Sequence, residues 1–153
     1  MPPRAKTAAA TTPAPVALGP LPNLVGYGLR RAQIAVFQDF VQTMAALDIR
    51  PAQFSVLLLI ELNPGINQTQ ISEALGIKTA NLAVMLNALA ARGYAERRPG
   101  TADRRAHALY LTRSGRTVMR QLQARVAEHE RRIVDRLGAT EKQLLLRLLA
   151  KLT

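Results

Sequence analysis

Apolar residues recur through this chain mostly at helical spacing, with one short interruption. Over residues 21–47 they fall on two faces of a helix: Leu29, Ala32, Val36, Phe40 and Leu47 on one, Ile34, Phe37, Val41 and Met44 on the other. A helix apolar on two sides must be covered on two sides, and a partner subunit is one way to do it. Asp48-Ile49-Arg50-Pro51 breaks the pattern, and Pro51 opens a buried helix, PAQFSVLLLIEL, that Asn63, Pro64 and Gly65 end. Asn67 with Gln70 forms a capping box for a short helix carrying Ile71 and Leu75 inward, closed by Gly76. The stretch TANLAVMLNALAARG then places Leu82, Leu86 and Leu89 on one stripe and stops at Gly93. Two short helices joined by a glycine-containing turn predict a helix-turn-helix.

The helical period gives way to a period of two at YAERR and HALYLT, in which Leu109 and Leu111 alternate with Ala108 and Tyr110, so a β-hairpin is expected there. Thr112 is placed to cap a long helix over 113–136 whose inward stripe runs through Val118 or Met119, Leu122, Val126, His129 and Ile133. Thr140 and Gln143 predict a second capping box for a closing helix with Leu144, Leu145, Leu148, Leu149 and Leu152 inward and Leu146 outside the stripe. The expected fold is mainly α with a small β-hairpin wing: a winged helix-turn-helix over 51–112, flanked by dimerisation helices over 21–47 and 113–153. Residues 1–20 hold five of the nine prolines and no aromatic residue, and are expected to form a disordered arm.

Charge gives this architecture a partner. Twenty-one Lys and Arg against ten Asp and Glu leave the 153-residue chain at +11, with a sequence pI near 11.4, which points to a polyanion and first to double-stranded DNA. Between Arg92 and Arg116 there are seven arginines against Glu96 and Asp103, a local net of +5. Arg97, Arg98, Arg104 and Arg105 thus fall on the hairpin that a winged helix presents to the DNA backbone or minor groove, while the second helix enters the major groove. No apolar run is long enough to span a bilayer and no basic amphipathic face suits a membrane surface, so a membrane partner is not expected and a cytoplasmic location is.

Absences narrow the function classes. Without cysteine there is no disulfide framework, thiolate nucleophile, thiol switch or zinc ribbon. His107 and His129 stand alone without carboxylates at ligand spacing, so no metal site and no cofactor is expected. Ser55, Ser72 and Ser114 lack a His and acid partner in sequence, and the acids fall singly on helix surfaces, so the chain is not expected to be an enzyme.

The segment GYAERRPGTADRRAHALYLTRSG resembles the wing of the MarR family of bacterial transcription regulators: a glycine, an apolar residue, an acid-and-Arg strand, Asp-x-Arg, a second strand, Leu-Thr and a glycine. Asp103, Arg105, Leu111, Thr112 and Gly115 match that pattern, and the resemblance runs from about residue 21 to the C-terminus. It implies that Arg105 sits at the wing tip and enters the minor groove, while Asp103 fixes the loop by accepting hydrogen bonds from wing arginines. It also implies a homodimeric repressor on a pseudo-palindromic operator. A small aromatic effector, either an aromatic carboxylate or an aryl thioester of coenzyme A, would release it. The crevice for that effector would be lined by Tyr27, Arg30, Arg31, Ile34 and Phe37 from the first helix and Phe54, Leu57 and Leu58 from the second.

The reading face departs from the family pattern. Where relatives often carry Ser, Thr and Arg, this chain offers Thr79, Ala80, Asn81, Ala83, Val84 and Asn87. Asn81 and Asn87 suit adenine, Ala83 and Val84 suit a thymine methyl, and nothing there makes the two-pronged arginine contact to guanine. Gln68, Lys78 and Thr79, near helix N-termini, suit phosphate. The weak base-reading face keeps a non-specific architectural DNA binder as the alternative.

Overall fold

The computed structural model describes residues 16–99 and 107–152. Most of the predicted arm, and Asp103, Arg104 and Arg105 of the predicted wing, lie outside the described residues. The helices are α1 (Val25–Thr43), α2 (Pro51–Leu62), α3 (Gln68–Leu75), α4 (Thr79–Ala91), α5 (Arg113–Leu137) and α6 (Ala139–Leu149). The strands are β1 (Ala95–Pro99) and β2 (His107–Leu111), and short 3₁₀ turns occupy Leu21–Asn23 and Ala45–Leu47. The mainly helical architecture with one hairpin is therefore as expected. No single helix among the described residues is long and apolar enough to cross a membrane. The chain divides into two units, with the boundary inside α1 between Gln33 and Ile34.

In the unit from Ile34 onward, one core joins α1 to α5 and both strands, Ala95 being the residue from β1, and takes no residue from α6. Phe40 of α1, Met44 just after it, Val56, Leu57 and Ile60 of α2, Ile71 of α3, Leu82, Leu86 and Leu89 of α4, Leu109 and Leu111 of β2, and Val118, Met119 and Leu122 of α5 form a single buried cluster. Neither of the two apolar stripes expected over 21–47 is buried as a whole: Phe40 from one and Met44 from the other are buried, while Phe37 and Val41 are exposed. The predicted stripe of α5 is the observed one, with His129 buried at its far end.

Local chemistry sets the boundaries. The expected capping box on α3 is formed: Asn67 Oδ1 accepts from Gln70 N (2.9 Å) and Asn67 N donates to Gln70 Oε1 (3.0 Å). Gly76 closes α3 at φ 60. Thr112 caps α5, its Oγ1 accepting from Gly115 N (2.9 Å). The second predicted capping box is absent, because Gly138, at φ 74 and ψ 158, already turns the chain and α6 starts at Ala139 with no side-chain cap. α6 leaves Leu144, Leu145, Leu146 and Leu148 exposed, and Leu152 just beyond it is exposed too.

The hairpin is antiparallel, pairing Ala95 with Leu111 and Pro99 with His107. It also gains a third rung that no periodicity announces: Gly65 N donates to Leu109 O and Leu109 N to Ile66 O, both at 2.9 Å. The segment between α2 and α3 therefore edges β2, which fixes the hairpin against the helix-turn-helix.

Candidate nucleic-acid interface

The chain bends by 116° between α3 and α4, within the range of helix-turn-helix units. Two side chains hold that bend. Gln68 Nε2 donates to the Thr79 carbonyl (3.1 Å), and Ser72 Oγ donates to the Ile77 carbonyl (2.6 Å) while lying 3.3 Å from Thr79 Oγ1. Gln68, expected on phosphate, thus has its amide engaged in tying the two helices together. Ser72 acts here as a brace, which sequence reasoning missed; its only signal was a hydroxyl one turn before the αL glycine.

α4 buries Leu82, Leu86 and Leu89 at 0–2% exposure, so the i, i+4, i+7 stripe seats one face in the core. The opposite face carries Thr79, Ala80, Asn81, Val84 and Asn87, all exposed, with Ala83 half-buried at its edge. Val84 is 71% exposed, an apolar side chain held in the open by a helix that is anchored from behind. Lys78 stands at the N-cap without a side-chain bond to the first turn, so it leaves that helix end open to an anion.

On the hairpin, Arg97 and Arg98 are both exposed, yet they are not equivalent. Arg98 is bonded to Glu96 Oε1 through Nε (3.0 Å) and Nη2, and its guanidinium lies 4.6 Å from the Tyr110 ring centroid. Its charge is partly spent within the wing, whereas Arg97 has no side-chain partner among the described residues. At the base, Thr112 Oγ1 donates to the Gly93 carbonyl and Thr112 N to the Tyr94 carbonyl (3.1 Å). The loop between α4 and β1 is thereby sewn to the start of α5.

The candidate effector residues do not share one environment. Tyr27, Arg30 and Arg31 lie on the first turns of α1, in the unit that ends at Gln33, and Arg30 Nη1 donates to Gln33 Oε1 (3.2 Å). Within the larger unit, Ile34, Phe54 and Leu58 are half-buried. Phe37 is 46% exposed rather than inward, because the α1 core face is the one through Phe40. Leu57, at 0% exposure, is a core residue and offers no surface to a ligand. Phe40, outside the expected set, brings its ring 6.1 Å from that of Phe54.

A polar centre that the sequence did not reveal joins α1 to α5. Asp39 Oδ2 bonds His129 Nδ1 (2.6 Å) and accepts from Arg132 Nη2 (2.9 Å), and Asp39 Oδ1 accepts from Arg132 Nε (3.1 Å). Arg132 also donates to Thr43 Oγ1 and to Glu128 (3.1 Å), and His129 stands edge-on to Phe40 at 5.4 Å. The only advance signal was a histidine on an inward stripe, since a buried imidazole needs a partner. The cluster borders an open groove of about 940 Å³, also lined by Arg125 and Gln121 and by none of the expected effector residues.

Hydrogen bonds from Arg132, then from His129, lower the pKa of Asp39 to about 2 from an ordinary 3.8. A depressed carboxylate stabilises the fold above its unfolded pKa, and that contribution is lost as pH falls from about 4 to about 2. Asp39→Asn is expected to cost about 2 kcal/mol at neutral pH, with the gap to the unsubstituted chain closing across that window in urea titrations at stepped pH. A gap independent of pH would mean that Asp39 does not hold the seam as a carboxylate.

A model described as the MarR family matches residues 47–106, from the end of α1 through the hairpin loop. Among solved structures, the transcriptional repressor CouR bound to a 23-mer DNA duplex is 44% identical, with a TM-score of 0.86 over 91% of this chain and 99% of that one. CouR bound to p-coumaroyl-CoA is 42% identical, with a TM-score of 0.84 over 90% and 97%. Among curated proteins, a putative transcriptional regulatory protein for the hcr operon of Thauera aromatica is 27% identical over 135 residues, which span 88% of this chain and 81% of that protein.

Proposed function

The chain belongs to the MarR family of DNA-binding transcription regulators, and from that premise we propose that it is a homodimeric repressor of a pseudo-palindromic operator, released by a small aromatic effector. The observation that carries the DNA half is the outward face of α4. Val84 is 71% exposed between exposed Asn81 and Asn87, on a helix whose other face is sealed into the core. Such a face has no packing role and suits A·T base pairs, with Asn on adenine and Val on a thymine methyl. Arg97 on β1, and Arg104 and Arg105 in the hairpin loop, supply phosphate and minor-groove contacts, with Asp103 ordering the loop.

The exposed leucines of α6 support a subunit interface, since four large apolar side chains on one short helix call for cover. The effector class rests on the likeness to CouR, solved with p-coumaroyl-CoA, and on the aromatic and apolar side chains of Phe54, Leu58 and Ile34. Tyr27, Arg30 and Arg31 are the residues we assign to the effector's polar end.

The test is affinity for the chain's own upstream DNA against a scrambled duplex at about 150 mM salt. It is repeated with aromatic carboxylates and their coenzyme A thioesters, p-coumaroyl-CoA among them. A preference of about 10³-fold or more that one ligand abolishes is the expected result. Equal binding to both duplexes, indifferent to every ligand, would make the protein an architectural binder instead. On the upstream duplex, Asn81→Ala is expected to cost about 1–3 kcal/mol, with little change on random DNA. Equal losses on both would remove α4 from base reading.

A further inference from the structure

Arg92 belongs by sequence to the basic segment, but its side chain points away from the reading face. It stands at the C-cap of α4, where Gly93, at φ 68, and Tyr94 close the helix: Gly93 N donates to Ala90 O (2.8 Å) and Tyr94 N to Leu89 O (3.0 Å). From there its guanidinium reaches back to the connection between α1 and α2. Nη1 donates to the Asp48 carbonyl (2.6 Å) and Nη2 to the Leu47 carbonyl (2.7 Å). Nη2 also donates to Tyr94 Oη (3.3 Å), and the guanidinium carbon lies 4.8 Å from the Tyr94 ring centroid. The Asp48 carboxylate is 3.8 Å away and 90% exposed, so it adds little; the two carbonyls are the main partners.

Those carbonyls are the orphan acceptors at the end of the 3₁₀ turn Ala45–Leu47, with Asp48 in the left-handed region at φ 46. The next residue, Ile49, is 2% exposed and anchors the connection in the core. We propose that Arg92 is a positioning residue for DNA recognition: a strut that locks the end of the reading helix α4 to the elbow where α1 ends, and so sets the spacing at which two reading helices meet DNA. The proposal rests on the dimeric operator-binding reading above. It needs the planar fork of arginine, because one ammonium cannot hold two carbonyls and the Tyr94 hydroxyl in the same geometry.

The test uses Arg92→Lys and Arg92→Ala in the full chain, with two readouts. The first, amide hydrogen exchange in the free protein, is independent of DNA. Both variants are expected to speed exchange roughly tenfold in the last turn of α4 and around Ile49 together, as loss of charged hydrogen bonds implies, while the α5 core amides stay as slow as before. The second is affinity for the upstream duplex and for the same duplex with one base pair added or removed between half-sites. The unsubstituted protein is expected to reject altered spacing, and both variants to lose most of that discrimination. Arg92→Lys, which keeps the charge, should still bind random DNA with the unsubstituted affinity and salt dependence. Unchanged exchange at both segments would overturn the strut whatever the DNA result. So would a lysine variant that keeps spacing discrimination. If the unsubstituted protein shows no preference for the upstream duplex, the operator reading and the spacing role fall with it, and the exchange data still decide whether the mechanical link exists.

Discussion

Gly115→Ala is expected to lower the unfolding free energy by about 3 kcal/mol or more, the largest effect of any glycine-to-alanine change in the described residues. A Cβ at this position would lie 1.9 Å from the Tyr94 carbonyl oxygen and 2.9 Å from its carbonyl carbon. Both are backbone atoms, and Tyr94 O already accepts from Thr112 N while Thr112 Oγ1 accepts from Gly115 N. No side-chain rotation relieves the overlap, so α5 must move off the loop that leads into β1, and the seam at the base of the hairpin opens. For a chain of this length the loss corresponds to a midpoint lower by roughly 10 °C in thermal unfolding. Operator affinity should fall as well, because the hairpin loses its footing relative to α4. An alanine variant as stable as the unsubstituted protein would show that the crossing of loop and helix is looser than described.

The second large effect concerns Leu57, which sequence reasoning assigned to the effector crevice and the structure assigns to the core. Leu57→Ala is expected to cost about 2–5 kcal/mol, the range for a fully buried leucine whose cavity only partly collapses. Leu57→Met, nearly isovolumetric, should cost less than about 1.5 kcal/mol. Affinity for the proposed effector per folded molecule should be unchanged in both, whereas Phe54→Ala, at a half-buried position, should weaken it. Urea titration gives the stability, and ligand titration of the folded fraction separates the roles. A Leu57→Ala protein of normal stability that no longer responds to ligand would return Leu57 to the effector site.

The parts of this fold legible in the sequence are those written within one helical turn. The Asn67 and Gln70 box, the Thr112 cap and the left-handed Gly76 are contacts between residues at most a few positions apart, so spacing alone specifies them. The same grammar misled at Thr140, because Gly138 had already turned the chain. It could not rank the two apolar stripes of α1 either, since Phe37 and Phe40 are equally apolar and only the packing of α2 and α5 decides which is buried.

Arginines proved the hardest to read. Arg92, Arg97 and Arg98 look alike in a basic run, yet one spans 44 residues to the Asp48 carbonyl, one has no partner among the described residues, and one is held by Glu96 and Tyr110. Counting charge picks out a basic segment, and it says nothing about which guanidinium is already engaged. The reading face of α4 was legible for a simpler reason: once Leu82, Leu86 and Leu89 are placed inside, the helical period leaves no other side for Asn81, Val84 and Asn87.

The Asp39 and His129 pairing carries a consequence for the order in which the molecule assembles. The hairpin and the α3–α4 unit close over short loops, while this bond joins residues 90 positions apart. Loop closure over that length is entropically late, so the winged lobe forms its contacts first and the α1–α5 seam is stitched onto a lobe already folded. By the same reasoning the seam is expected to reopen before the lobe does, leaving the outward face of α4 in place, which faster amide exchange around Asp39 and His129 than in α4 would show.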